Sequence, residues 1–238
     1  MQRYEKAVFD PEKMGHTLIS GRSGSGKSEL VHTILERISN TSVYIIDHGG
    51  GRLQDQGVRA CCGGYICEEA TEDIERLMIF TEELIRARRK LSAGTRMTCT
   101  PVLIVLDGFG GIEKSSEEFG EHIIRILTMG RTVNVTVIAT SCEALTGRIS
   151  RLFDTFLFLG DEDPYTVSQY SKVSPRDIPV ISFKPGRGIG LIDGVPLEFQ
   201  AVKDGFHPGN SPPQQRNCRA VSAFPEHRTQ ISYHSRKG

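Results

Sequence analysis

The chain has 238 residues, 29 Lys and Arg against 29 Asp and Glu, and an apolar share of 38%. That length suits one domain with a sizeable core, and zero formal charge supplies no global field to draw the protein to nucleic acid or a membrane surface. No run of eighteen apolar residues occurs and the polar start Met1-Gln2-Arg3-Tyr4-Glu5-Lys6 is not built like a signal peptide, so a soluble, cytoplasmic chain with reduced thiols at Cys61, Cys62, Cys67, Cys99, Cys142 and Cys218 is expected.

Residues 1–15 carry little pattern. His16 to Ser20 then reads as a short apolar strand, and from Lys27 onward Leu30, Val31, Ile34, Leu35 and Ile38 recur at helical spacing. Between them Gly21-Arg22-Ser23-Gly24-Ser25-Gly26-Lys27-Ser28 matches G-x-x-x-x-G-K-[ST] in the strand-to-helix context that a P-loop requires. Glycines at 21, 24 and 26 let successive N–H groups point into one concavity and hold phosphate oxygens. The helix adds its positive N-terminal end. Lys27 is then the group to neutralise the β- and γ-phosphates, and the Ser28 hydroxyl a magnesium ligand. The expected nucleotide-binding stretch is Gly21, Arg22, Ser23, Gly24, Ser25, Gly26, Lys27, Ser28 and Glu29, with ATP and Mg2+ as cofactors. Val8-Phe9-Asp10-Pro11 is a candidate edge segment to close over the base.

Ser42 to Asp47 is a continuous apolar strand ending in a carboxylate, as buried parallel strands read. His48-Gly49-Gly50-Gly51 follows as a loop at the sheet edge where ligands gather; His48 is either a substrate contact or a solvated loop residue. The Cys61-Cys62-Gly63-Gly64-Tyr65-Ile66-Cys67 segment lacks a second C-x-x-C or a spaced His pair and reads as loop and strand start. A long helix spans Thr71 to Leu91, with Glu72, Asp73 and Glu75 in its first turn and Arg86, Arg88, Arg89 and Lys90 in its last, which suits the helix dipole.

Pro101 to Asp107 is a second apolar strand ending in Asp, the Walker B pattern, so Asp107 is expected to hold the magnesium shell opposite Ser28. The next residue is Gly108, where many hydrolytic P-loop motors carry a glutamate base. Glu113, Glu117 and Glu118 sit nearby, but Ser115-Ser116-Glu117-Glu118 fits a capping box. Hydrolysis is therefore expected to be slow or absent, with no catalytic residue assigned. After a helix through Phe119, Ile123, Ile126 and Leu127, Val135 to Thr140 is another buried strand; Thr140 and Ser141 at its end lie where a polar residue would sense the γ-phosphate, with Ser141 the candidate sensor. Asp154 to Gly160 is a further strand, Asp163-Pro164 starts a short helix, and Asp193-Gly194 joins two strands of a late hairpin. Residues 203–238, with six Lys/Arg and two acids, read as a flexible, mildly basic tail after a domain of residues 1–202.

Taken in order, the P-loop, the Tyr65 strand with its acidic-to-basic helix, Val102 to Asp107, Met129-Gly130-Arg131 into Val135 to Thr140, Leu145-Thr146-Gly147-Arg148-Ile149 and the glycine-rich hairpin resemble the FtsK/SpoIIIE family of RecA-like ATPases. Phe156 to Pro164, and Pro185-Gly186-Arg187-Gly188 with Leu197-Glu198-Phe199-Gln200, resemble the C-terminal ATPase modules of type VII (ESX) secretion translocases, the EssC/EccC group. The resemblance implies an α/β, RecA-like P-loop NTPase fold with a mainly parallel central sheet flanked by helices and a late β-hairpin. It further implies a piece of a longer protein anchored at the cytoplasmic membrane, partnered by other ATPase modules of the same translocase and by small helical-hairpin substrates carrying an export signal. No nucleic-acid partner is expected. Gly108, Ser141 in place of a glutamine, and unmatched finger arginines in Phe156 to Thr166 depart from the DNA-pump pattern; Arg148 or Arg151 could serve a neighbouring subunit. The expected function is a weakly or non-hydrolytic ATP-binding module that regulates or recognises exported substrates. The alternatives are an active DNA-translocating ATPase and an interaction module for which ATP is a folding cofactor. On the expected reading, placing a glutamate at position 108 raises hydrolysis.

Overall fold

A computed structural model describes residues 10–201, apart from 59–60, 68–69, 116–117, 144, 146–147, 172 and 193. The segment expected at Val8-Phe9, the tail from 203 to 238, Glu117 of the capping box and Thr146-Gly147 lie outside the described residues. The elements are α1 (Pro11–Met14), β1 (Thr17–Ser20), α2 (Lys27–Arg37), β2 (Ser42–Asp47), β3 (Cys62–Cys67), α3 (Thr71–Arg89), α4 (Ala93–Met97), β4 (Val102–Asp107), α5 (Phe109–Ser115), α6 (Phe119–Met129), β5 (Val135–Ser141), β6 (Thr155–Leu159), α7 (Pro164–Ser168), β7 (Arg187–Ile192) and β8 (Val195–Gln200).

Eight strands form one sheet in the order β3-β2-β4-β5-β1-β6-β7-β8. Strands β3 to β6 are parallel, whereas β7 and β8 add an antiparallel hairpin at one edge. The architecture is the α/β class with a mainly parallel sheet and a late hairpin that the sequence pattern predicts. Alternation along the buried strands sorts their side chains onto two faces. Leu103 and Val105 of β4 join Val31, Ile34 and Leu35 of α2 in one apolar cluster. Ile104 and Leu106 join Ile74 and Leu77 of α3 and Ile123 and Ile126 of α6 in the other. Unbroken apolar runs therefore reflect burial on both faces, and truncating such a residue to alanine costs ~2–5 kcal/mol.

Local details differ from the sequence reading where tertiary contacts decide. Strand β3 begins at Cys62, three residues before the expected Tyr65, because its backbone pairs with β2 down to Val43, across a register shift between Val43 and Tyr44. Directly after the Gly108 turn, Phe109 opens the helix α5, to which the sequence reading assigns no element, with its buried ring against Phe119. Asp163 is the N-cap of α7, yet its side chain makes no cap bond. Arg88, read as a last-turn dipole charge, is buried and donates to the carbonyls of Val133, Asn134 and Thr100 at 2.9, 3.2 and 2.7 Å. Three carbonyl acceptors explain why a cation is tolerated there.

At the foot of β1, His16 is buried and its Nδ1 accepts the Val137 N–H at 3.1 Å. Burial pushes its pKa down to about 4, only partly opposed by Asp154. The folded protein thus refuses a proton that the unfolded chain accepts below pH 6.5. Stability from this group is complete above that value and is lost as pH falls towards 4, by up to ~3 kcal/mol. Urea unfolding of the native protein and of His16→Asn across this range is expected to show a steeper acid loss in the native protein.

Candidate nucleotide site

Strand β1 runs in parallel between β5 and β6, and its last residue, Ser20, pairs with Ser141 and Phe158. The chain then turns through residues 21–26 into α2. Gly21 N–H donates to Ser141 O at 3.2 Å, Ser25 N–H to Arg22 O at 3.2 Å, and Gly186 N–H to Ser25 O at 3.1 Å, so the loop is held from both flanks. Gly26 is the N-cap of α2 with φ +101°, a left-handed conformation that favours glycine, and no side chain caps the first turn. The orphan N–H groups of that turn give an anion a place to bind. The Lys27 ammonium lies within the loop, donating to Gly21 O at 2.7 Å and Arg22 O at 3.1 Å. With three donors on an ammonium, these two bonds leave one for a phosphate oxygen.

Ser28 extends towards Asp107, and its hydroxyl donates to Asp107 Oδ2 at 2.8 Å. The other carboxylate oxygen accepts from Thr140 Oγ1 at 2.5 Å, and the same threonine oxygen accepts the Gly108 N–H at 2.9 Å. Burial holds the Asp107 pKa above the usual carboxylate range; the Thr140 and Ser28 hydrogen bonds oppose this, the neighbouring Asp47 reinforces it, and Lys27 counters it. A serine hydroxyl and a carboxylate make an oxygen donor set of the kind Mg2+ takes when phosphates and waters supply its remaining ligands. Among the described residues no cluster of three or more His, Cys, Asp or Glu could hold a metal by itself. Any bound Mg2+ would be held by Ser28 and Asp107 and would neutralise phosphate charge.

The remaining expected residues divide by position. Ser25 is buried beneath the loop, whereas Arg22, Ser23, Gly24 and Glu29 are exposed. Ser141 closes its own turn, its hydroxyl donating to Glu143 O at 2.6 Å and accepting from Glu143 N–H at 3.2 Å. Thr140, beside it, is the residue that touches Asp107. Arg148 and Arg151 are exposed, and Glu113 is exposed on α5.

Three features were not assigned from the sequence. Asp47, beside Asp107 in the β2–β4 register, is buried and accepts N–H groups from Gly49, Gly51 and Leu53 at 3.0, 3.3 and 2.9 Å, with the Tyr65 hydroxyl at 3.0 Å. It moulds the loop after β2; a second strand ending in Asp was the available signal. Arg22 pairs with Asp161 at 3.5 Å and lies 3.9 Å over the Phe183 ring, pinning the loop to the hairpin side. Glu162 sits half-buried within reach of the Lys27 and Arg22 charges, its pKa raised first by burial and then by Asp161 and Asp163.

No family model matches the sequence, and no characterised protein matches it at the sequence level. Solved structures do match the fold, which is that of RecA-like ATPase modules. EssC (ATPases 2 and 3) from Geobacillus thermodenitrificans aligns over 85% of this chain and 41% of its own, with a TM-score of 0.69 at 16% identity. Thermomonospora curvata EccC (ATPases 2 and 3), in complex with a signal sequence peptide, aligns over 83% and 38%, with a TM-score of 0.61 at 18% identity. The pCW3 conjugation coupling protein TcpA, with ATPγS, aligns over 81% and 61%, with a TM-score of 0.61 at 16% identity. The chain therefore spans less than two thirds of each of these relatives. Among the described residues no helix is long and apolar enough to cross a membrane.

Gly108 corrects one expectation. Its φ is +85°, and a Cβ there would stand 2.8 Å from His48 O. Gly108→Glu is accordingly expected to lower stability by ~1–3 kcal/mol and to leave phosphate release no faster, as read by thermal melts and a turnover assay. A second outcome follows from Asp107. Because its carboxyl protonates at higher pH than an ordinary aspartate, the magnesium-dependent part of nucleotide affinity is expected to fade on acidification earlier than in a site with an unperturbed carboxylate. Titrations with and without Mg2+ between pH 5 and 8 on the native protein, with Asp107→Asn as the metal-insensitive reference, read this directly (roughly the window in which such stability optima lie).

Proposed function

We propose that the chain is an ATP-binding module of a type VII protein-secretion translocase, hydrolysing its nucleotide slowly or not at all. The supporting observation is the meeting of Lys27, Ser28 and Asp107 at one corner of the sheet, with glycine where a hydrolytic base would stand. Gly21 to Glu29 bind the phosphates, Lys27 neutralises their charge, and Ser28 with Asp107 ligates Mg2+. Likeness in fold to EssC and EccC modules supports a secretion role, and zero formal charge speaks against the DNA-pump alternative. On this reading residues 1–202 form the ATPase domain, 203–238 form an appended tail, and the module works at the cytoplasmic face beside other ATPase modules. Its substrates are small helical hairpins whose export signal it recognises or whose passage it regulates.

The test is a melting experiment with ATP and Mg2+, followed by phosphate-release assays with and without substrate tails. A ligand that binds only the native state raises its stability by mass action, about 2.7 kcal/mol at a hundredfold excess over Kd. A clear upward shift in Tm, abolished in Lys27→Ala, with slow phosphate release is expected. An unchanged Tm would remove the phosphate-cradle assignment. Rapid turnover stimulated by DNA would favour the translocating-pump reading.

A further inference from the structure

Between the end of β2 and the start of α5 the backbone packs closely around one residue, His48, its carbonyl against Gly108 and its ring against Gly111. Asp47 fixes the loop after β2 through three N–H groups, and His48 N–H donates to Asp107 O at 2.8 Å, so His48 is tied to the strand that carries the candidate metal ligand. Two glycines make room for it. A Cβ at Gly108 would stand 2.8 Å from the His48 carbonyl oxygen, and one at Gly111 would stand 2.6 Å from His48 Cε1. Gly110, between them, has nothing within 4 Å of such a Cβ, so the crowding belongs to the two positions that face His48. His48 lines a groove of about 500 Å³ together with Gly108, Glu113, Ser141 and Glu143. Ser141 O accepts the N–H of Gly21, the first residue of the phosphate loop, and Gly108 follows Asp107 directly, so the groove opens between the start of that loop and the end of β4.

We infer that His48 is the side chain this module sets against the terminal phosphate of a bound nucleoside triphosphate, on the side where Gly108 presents none. The inference rests on the nucleotide reading proposed above. An imidazole N–H can donate to a phosphate oxygen or to a water beside it, which distinguishes a triphosphate from a diphosphate. It also ties nucleotide state to the 48–53 loop and the start of α5, because the same residue is packed against both. His48 thereby acts as a specificity-determining residue, with no bond made or broken.

The experiment is calorimetric titration of the full chain with ADP and with the non-hydrolysable triphosphate AMPPNP, both with Mg2+. The native protein is expected to bind the triphosphate at least ~10-fold more tightly than ADP, an advantage of about 1.4 kcal/mol. His48→Phe keeps a ring against Gly111 but has no N–H, and is expected to cut that preference at least threefold while ADP affinity stays within twofold. His48→Ala is expected to do the same, and His48→Phe carries the test if the alanine variant melts early. A wild-type preference retained in His48→Phe would show the ring to be packing only and would overturn the inference, as would equal affinity of the native protein for both nucleotides. If the native protein binds neither, the nucleotide reading itself falls, and the inference falls with it by a separate result.

Discussion

The hydrogen bond between Ser28 and Asp107 carries the site. Its partners lie 79 residues apart in the chain and 2.8 Å apart in the fold. They meet because β5 lies between β1 and β4, so that three parallel strands end at the same edge and the loop after β1 turns back across them. Thr140 at the end of the middle strand closes the arrangement by binding Asp107 and the Gly108 N–H together. A carboxylate buried to this depth is costly unless hydrogen bonds satisfy it, and its raised pKa registers that cost. Nearby positive charge, from Lys27 or a divalent cation, is what such a group favours.

Much of this was legible because the relevant signals are local. The P-loop glycines, the apolar runs of β2, β4 and β5 and the Asp193-Gly194 turn each sit in a few consecutive residues whose chemistry admits few conformations. Buried parallel strands announce themselves by unbroken hydrophobicity, and the late hairpin by the one turn that suits it. What stayed hidden depends on distant neighbours. Nothing in the helical spacing of α3 tells that Arg88 turns inward to three carbonyls. Nor does the sequence tell that Thr140, not Ser141, reaches Asp107, since alternation along β5 had to be fixed by the sheet before either hydroxyl had a direction.

Position 108 illustrates the difference between a missing group and a constrained one. From sequence, glycine there reads as the loss of a base that could be put back. In the fold it is a residue at φ +85° pressed against the chain that follows β2, and its neighbour Gly111 is pressed by the same histidine. The C-terminal ends of β2 and β4 are thus built as a unit, with Asp47 buried as a loop anchor and the helix α5 starting directly after Gly108.

The most direct measurement is the dependence of ATP affinity on Mg2+ in the intact chain. A corner in which Ser28 and Asp107 hold the metal against the phosphates predicts ATP binding at least ~10-fold tighter with Mg2+ than with a chelator present, about 1.4 kcal/mol. ATP affinity that is the same in both conditions would contradict it.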